Sequence, residues 1–378
     1  MAGIYIHIPF CKQACYYCDF HFSTSLKNKS DLLLALAKEL AIRKNEFNNQ
    51  VVETIYFGGG TPSILDSDEI NMLIQEVYKY YSVVENPEIT LEANPDDLSE
   101  EKIIELANSP INRLSIGVQS FFQEDLISMN RAHSALEATK CLEIAVKYFK
   151  NISVDLIYGI PNMSNQKWQQ NIQILLDFNI PHISSYALTV EPKTALHKFI
   201  EQGTFSALDD GAAREHFLLL LDILEVNDYI QYEFSNFGKK NYFSKNNSSY
   251  WQGKKYIGIG PSAHSYDGKS RSWNVSNNSK YIKGVLSNNL EMETEILSLT
   301  DMYNEYVMTG LRTIWGISVA KIESNFGLIF KNYFFKNAEK YLKNGTLQQI
   351  NDTITVTKNG KFLSDGIASD LFYVNLNK

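Results

Sequence analysis

Short runs of β-branched and aromatic residues recur through the first half of the chain, separated by longer stretches with helical apolar spacing. Runs of the first kind suit strands buried on both faces, and the longer stretches suit amphipathic helices. The runs predict strands at 3–8, 54–57, 88–93, 113–118, 153–157 and 182–188. Helices are expected over 31–47 with Ser30 as N-cap, from Asp66 or Ser67 to 81, onward from Ser99, and over 135–149 and 165–178. This alternation predicts an α/β fold, βα units around a parallel sheet. A long apolar helix follows at 209–226, and 229–238 is expected to add strand structure beside the sheet. The segment 244–265 is rich in Asn, Ser, Gly and aromatics and reads as a long loop around one short strand. Beyond 288 the pattern turns helical at 300–311, 318–326 and 333–344. Two β-like runs, 346–350 and 353–356, and a last helix at 360–372 complete a small α+β, winged-helix-like unit. The expected division is 1–235, 236–290 and 291–378.

The unusual residues fall where a βα barrel does its chemistry, just beyond the C-terminal ends of the expected strands. Three cysteines follow the first strand, and Gly58-Gly59-Gly60-Thr61-Pro62 follows the second. Glu92, Asn94 and Pro95 end the third, Gln119 and Ser120 the fourth. Asp155 with Gly159-Ile160-Pro161 closes the fifth, and Tyr186-Ala187 the sixth. Six such coincidences outweigh the bland reading of each, such as a tight turn for the glycines or a solvated strand-end charge for Glu92.

Cys11, Cys15 and Cys18 are spaced C-x3-C-x2-C and are three of only four cysteines. Three thiols cannot pair off as disulfides. A zinc site wants four protein ligands, and His7, Asp19 and His21 do not fall at familiar zinc spacings. An iron–sulfur cluster bound by three thiolates would keep one iron open for a further ligand. Cluster, zinc and incidental thiols are the three readings, and the spacing favours the first. Cys141 lies on the apolar stripe Ala138, Cys141, Leu142, Ala145, Val146 and Phe149, so it is expected to pack as a small hydrophobe.

Around these residues the chain resembles the radical S-adenosylmethionine (SAM) proteins, with an aromatic, Tyr17, before the last cysteine. The words YIHIPFC and CDF resemble the group of oxygen-independent coproporphyrinogen III oxidase-like proteins, which has a dehydrogenase branch and a heme-chaperone branch. The dehydrogenase branch carries a further cysteine two residues after the third and a long segment ahead of the loop. Here Phe20 stands at that position, and the loop begins within a dozen residues of Met1, as in the chaperone branch. The resemblance implies a partial (β/α)6 radical SAM barrel, a [4Fe-4S] cluster on Cys11, Cys15 and Cys18, and SAM on its open iron. It implies SAM contacts at Tyr5, Tyr17, Gly59, Gly60, Thr61, Glu92, Gln119, Arg131, Asp155 and Ala187. Glu92 would accept from ribose hydroxyls, and Arg131 would meet the SAM carboxylate.

The same resemblance implies heme or a related tetrapyrrole as second ligand, with a heme-acceptor protein and an electron donor as partners. The rival function is oxidative decarboxylation of coproporphyrinogen III; another SAM-dependent radical reaction is the third reading. One departure bears on heme. The group has a heme-linked histidine before Asn247, in a word H-N-x-x-Y-W, where this chain has Asn246. Three outcomes follow. Heme is held by the aromatics around Tyr250 and Trp251, or another residue ligates it, or binding is lost. His264, in GPSAHS, is the candidate ligand.

Composition narrows the partners. A net charge of -8 argues against nucleic acid, and the tail from 291 has nine Lys/Arg against ten Asp/Glu. No apolar run approaches the ~18 residues of a membrane span. Clustered thiols and no secretory signal ahead of the first strand fit a reducing cytoplasm.

Overall fold

The computed structural model describes residues 2–47 and 50–374; residues 1 and 375–378, at the ends of the expected first and last units, lie outside these. Strands β1 (Ala2–Ile8), β2 (Val52–Gly59), β3 (Val83–Ala93), β4 (Arg113–Gln119), β5 (Ile152–Tyr158) and β6 (His182–Ala187) pair in parallel, in chain order. All six expected strands are present, with the second and third longer than their apolar runs. Strands β7 (Ile230–Glu233) and β8 (Asn236–Gly238) add antiparallel at the β6 edge, as the pattern at 229–238 suggested.

Beyond β1 the sheet goes further than the sequence pattern showed. The segment read as a long loop opens with a helix, Lys245–Trp251, capped by Ser244. Then come β9 (Lys255–Ile259) and β10 (His264–Tyr266), followed by β11 (Ser270–Asn274) and β12 (Met292–Ile296). Strand β9 lies parallel to β1, matching Gly3 to Tyr256 and Tyr5 to Gly258. The barrel therefore has seven parallel strands in a sheet of twelve. The pairing joins residues some 250 positions apart, which local composition cannot reveal. Gly258 lets β10 fold back closely on β9: a Cβ there would lie 2.1 Å from the His264 carbonyl oxygen.

Strand alternation separates two kinds of buried face. Ile4, Ile6 and Ile8 are fully buried on one side, with Ile55, Phe57, Leu91, Leu114 and Val154 in the same core. The opposite, inward face carries Tyr5, Tyr56 and Thr90 in one register row, and Gly117, Asp155 and Ser184 in another. A polar barrel interior is costly unless its groups are bonded, so it marks a chamber built for a ligand or water.

Helices Ser67–Tyr80 and Ala135–Tyr148 start at capping boxes, Asp66 with Glu69 and Ser134 with Glu137. Ser99 caps Glu100–Ala107 as expected, and Asn165–Asp177 also forms. The first helix differs. It runs Lys29–Ile42 with Asn28 at the N-cap, so Ser30 lies inside it and 43–47 is outside. The chain leaves the helix at Arg43, whose guanidinium turns inward to Glu39, Glu46, Ser265 and the Gly258 carbonyl. Helices Gln123–Ser128 and Ala195–Glu201 are too short for a periodic signal and are new.

Glu39 anchors the extended sheet to this helix. Its carboxylate accepts from Arg43 (3.1 Å), Asn274 (2.7 Å), Tyr281 (2.5 Å) and the Gly260 amide (2.8 Å). Glu39→Ala leaves the buried Arg43 with only the half-exposed Glu46 as charge partner and takes the acceptor from Asn274, Tyr281 and the Gly260 amide. It should lower the free energy of unfolding by about 3–5 kcal/mol in urea titrations.

The C-terminal unit has its own core, including Tyr303, Val307, Phe334 and Ile354. Helices Leu299–Leu311, Val319–Phe326 and Leu328–Lys343 surround a sheet of β13 (Ile317–Ser318), β14 (Leu347–Ile350) and β15 (Thr353–Val356), in the order β13-β15-β14. This is the helix–strand–helix–helix–hairpin order of a winged helix. The expected last helix is a 3-10 turn, Lys358–Leu363, running into a helix at Ser364–Leu371. The unit joins the barrel along β7, where Ile314 N–H donates to the Tyr232 carbonyl at 3.0 Å.

Candidate functional site

The three-cysteine loop lies over the C-terminal mouth of the barrel, pinned at several points. The Ser23 amide donates to the Pro9 carbonyl, and the Cys11 amide to the Ser23 carbonyl. Gln13 Nε2 donates to the Asn130 side-chain oxygen at 2.8 Å, and Asn130 Nδ2 donates to the Ala14 carbonyl at 2.8 Å. The Tyr16 amide donates to the Met129 carbonyl. Lys12 pairs with Asp96 and Asp97. The loop is thus held by the turn after β3 and by the 129–131 corner.

Cys11, Cys15 and Cys18 are each partly buried and feel one another's charge. Burial, together with the neighbouring cysteines, pushes the Cys18 thiol up to about 11, and burial raises Cys11. Thiols raised in this way, as Cys11 and Cys18 are, stay protonated until a metal claims them. Among the described residues no three His, Cys, Asp or Glu side chains converge on a single-ion site. Cys141 sits in the helical core, 2% exposed, as expected.

Arg131 is the hub of the site. Its Nη1 lies 3.4 Å from Cys15 Sγ, and Nη2 donates to Asn94 Oδ1 and the Gly117 carbonyl, both at 2.7 Å. Its Nε is buried without a partner, a donor left for a ligand. The half-buried Tyr17 lies against the same guanidinium, whose charge opposes the rise that burial gives its hydroxyl. Gln119 ends β4 in a left-handed conformation, φ 69°, at a register shift, with its amide beside Gly117 and Arg131.

Across the mouth, Glu92 accepts from the Tyr56 hydroxyl (2.7 Å) and the Gly59 amide (3.2 Å). Burial pushes its carboxyl up to about 7, partly offset by the Tyr56 bond. Gly59 has φ 107°, and a Cβ there would strike the His7 ring at 2.4 Å. The Gly60 and Thr61 amides donate to the Ile8 and Phe10 carbonyls, tying the glycine turn to the cysteine loop. Tyr5 stacks on Tyr56 and bonds His7 Nδ1 at 3.1 Å. Asp155 faces the same interior beside Ser115 and Ser184, pushed up to about 6 by burial, with one carboxyl oxygen unpartnered. Ala187 ends β6 next to Tyr158. The structure thus brings the expected SAM residues together around one mouth. Tyr56, His7, Gln13 and Asn130 were missed. The alternation Thr54, Tyr56, Gly58 was the signal for Tyr56.

His264 lies elsewhere. It is exposed on β10, stacked on Trp273 at 5.6 Å between centroids. Burial of its ring and the charge of Arg271 lower its pKa, so the imidazole is neutral near pH 7. Two residues on, Tyr266 shares its face and lines a cavity of about 840 Å3 between the sheet and the C-terminal unit. Tyr186, Tyr250, Trp251, Tyr256 and Tyr306 also line it. Asn246 does not. It is 3% exposed and bonds Thr54 Oγ1 at 3.1 Å on the barrel floor. Tyr186 also ends strand β6, so the cavity adjoins the barrel mouth.

Residues 5–175 match the Radical SAM superfamily, and residues 297–363 match the HemN C-terminal domain. The heme chaperone HemW of Lactococcus lactis subsp. lactis (strain IL1403) is 30% identical over 374 residues, covering 99% of this chain and 98% of that protein. The heme chaperone HemW of Bacillus subtilis (strain 168) is 30% identical over 371 residues, covering 97% and 98%. Among solved structures, coproporphyrinogen III oxidase (HemN) from Escherichia coli superposes with a TM-score of 0.84 at 22% identity, covering 98% of this chain and 90% of that one. At that identity the likeness shows the fold. Among the described residues no helix is long and apolar enough to cross a membrane.

Proposed function

This chain belongs to the radical SAM superfamily, in the family of the heme chaperone HemW, and on that footing we propose that it binds heme and passes it to an acceptor protein. The observation that carries the reading is the similarity to HemW proteins over nearly the whole of both chains. The aromatic cavity beside the barrel mouth supports it, because flat faces of Tyr and Trp suit a tetrapyrrole.

A [4Fe-4S] cluster with SAM, when bound, supplies one-electron chemistry at the SAM sulfonium. The chain's own part is to hold and orient. Cys11, Cys15 and Cys18 present three thiolates. Glu92 offers a carboxylate to the ribose hydroxyls, and Arg131 turns its free Nε–H to the SAM carboxylate. Gly59, Gly60 and Thr61 form the backbone rim for the amino group. Gln119, Asp155 and Ala187 line the far side, and Tyr5 and Tyr17 close the mouth against water. An electron donor is required for reduction, and a reducing cytoplasm keeps the thiols available.

Anaerobically prepared protein should bind heme unchanged and leave coproporphyrinogen III unaltered. Decarboxylated product in the parallel incubation would replace this reading with the oxidoreductase one. His264 is the proposed iron ligand, since it is a neutral imidazole two residues from the cavity-lining Tyr266 on the same strand face. Heme titration should give a histidine-type absorption spectrum that His264→Ala removes. A spectrum unchanged in His264→Ala would assign the ligand to another residue.

A further inference from the structure

We propose that the cavity between the sheet and the C-terminal unit is the tetrapyrrole seat, with Arg271 and Lys321 holding the two carboxylate side chains of the ligand. The proposal rests on the heme reading above and adds where the molecule lies and what recognises its acidic edge. The volume of about 840 Å3 falls inside the range of about 300–1,000 Å3 typical of small-molecule sites. Its walls come from both units, strands β10 and β11 on one side and helix Leu299–Leu311 on the other.

Two cations line it, one from each side. Arg271 sits opposite Tyr266 on β11, with its Nη2 2.7 Å from Glu305 Oε1 on the facing helix. The plain reading of that pair is a clasp between the two units. A partly exposed pair of this kind contributes little to stability, so a clasp is a weak use for it. Glu305 is also a reluctant anion: burial raises its pKa, and the charges of Asp301 and Glu295 add to this against the pull of Arg271. A ligand carboxylate can therefore displace Glu305 and take the planar guanidinium fork in two bonds. Lys321 lies with its ammonium 4.7 Å from the Tyr306 ring centre. Among the described residues it has no carboxylate within ion-pair distance.

The other cavity at this junction, about 650 Å3 beside β7, differs. Its Lys358 and Lys361 are already bonded to Glu225 and Gln231. That cavity also holds an arginine, Arg312, paired with Asp365, but the first is larger, carries more Tyr and Trp on its walls, and leaves its Lys321 ammonium without a hydrogen-bond partner among the described residues. His264 does not line the cavity, but it lies on the same strand face as Tyr266, one repeat away, and is the imidazole proposed to turn to the iron.

The test is a titration of the full, cluster-loaded chain with heme and, separately, with heme dimethyl ester, which has the same ring and iron without the charges. Wild-type protein should bind heme at least about tenfold more tightly than the ester, as expected for charge-assisted bonds. Arg271→Gln and Lys321→Gln should each weaken heme by about tenfold and leave the ester unaffected. Iron content and circular dichroism check that each variant folds, and the ester comparison on wild-type protein needs no variant. Equal affinity for heme and ester, with no loss in either variant, would overturn this seat while leaving the heme function standing. No heme binding by wild-type protein would overturn the function itself and the seat with it.

Discussion

Serine in place of any one of Cys11, Cys15 or Cys18 should strip the protein of its iron and sulfide, which should stand at about four of each per chain in the wild type. The loop is held in place mainly by its backbone and by Gln13, so the variants should lose the cluster without losing the loop. What disappears is one of the three thiolate ligands that a cluster needs. Cys141→Ser should keep full iron. That thiol is packed in a helical core and pushed up to about 12 by burial. Iron and sulfide assays on anaerobic protein decide the matter. Loss of iron in Cys141→Ser, or zinc bound without sulfide in wild type, would refute the assignment.

Glu92→Ala and Arg131→Ala should each weaken SAM binding at least tenfold with iron unchanged. Removing one partner of a buried charged contact costs about 2–5 kcal/mol. The two residues stand on opposite sides of the mouth, one bonded to Tyr56 and the Gly59 amide, the other to Asn94, Gly117 and Cys15. Arg131→Ala should be the more damaging, because it also frees Asn94 and the Gly117 carbonyl. Arg131→Lys restores the charge but not the planar fork, and should recover only part of the affinity. Calorimetry at matched iron content separates these outcomes. Wild-type SAM affinity in both alanine variants would place SAM away from this pair.

Much of this site was legible in the chain because local features write it. Thiols three and four residues apart must share a loop. Glycine and carboxylate at successive strand ends must share a mouth once the strands lie in parallel. Capping boxes such as Asp66 with Glu69 fix helix starts from four residues. The inward polar face was also written in the alternation of Thr54, Tyr56 and Gly58, though it takes a buried sheet to give that alternation its meaning.

What local pattern could not carry was pairing across long separations. Gly3 meets Tyr256, and nothing near either residue selects the other. The segment after Ser244 therefore looked like a loop until β1 supplied its edge. Asn246 is the sharpest case. By resemblance it occupied a heme-linked position, whereas packing turned it down onto Thr54. The aromatic cavity likewise belongs to no single segment, since Tyr250, Tyr266 and Tyr306 come together only when the C-terminal unit closes on β7. Sequence alone determined the cysteine loop, the α/β order and the strand-end residues of the mouth, because those depend on spacing within a few turns or strands, whereas Arg131 and Tyr17 were marked only by family resemblance. The extended sheet, the place of residue 246 and the cavity were decided by tertiary structure, because non-local burial sets which faces meet.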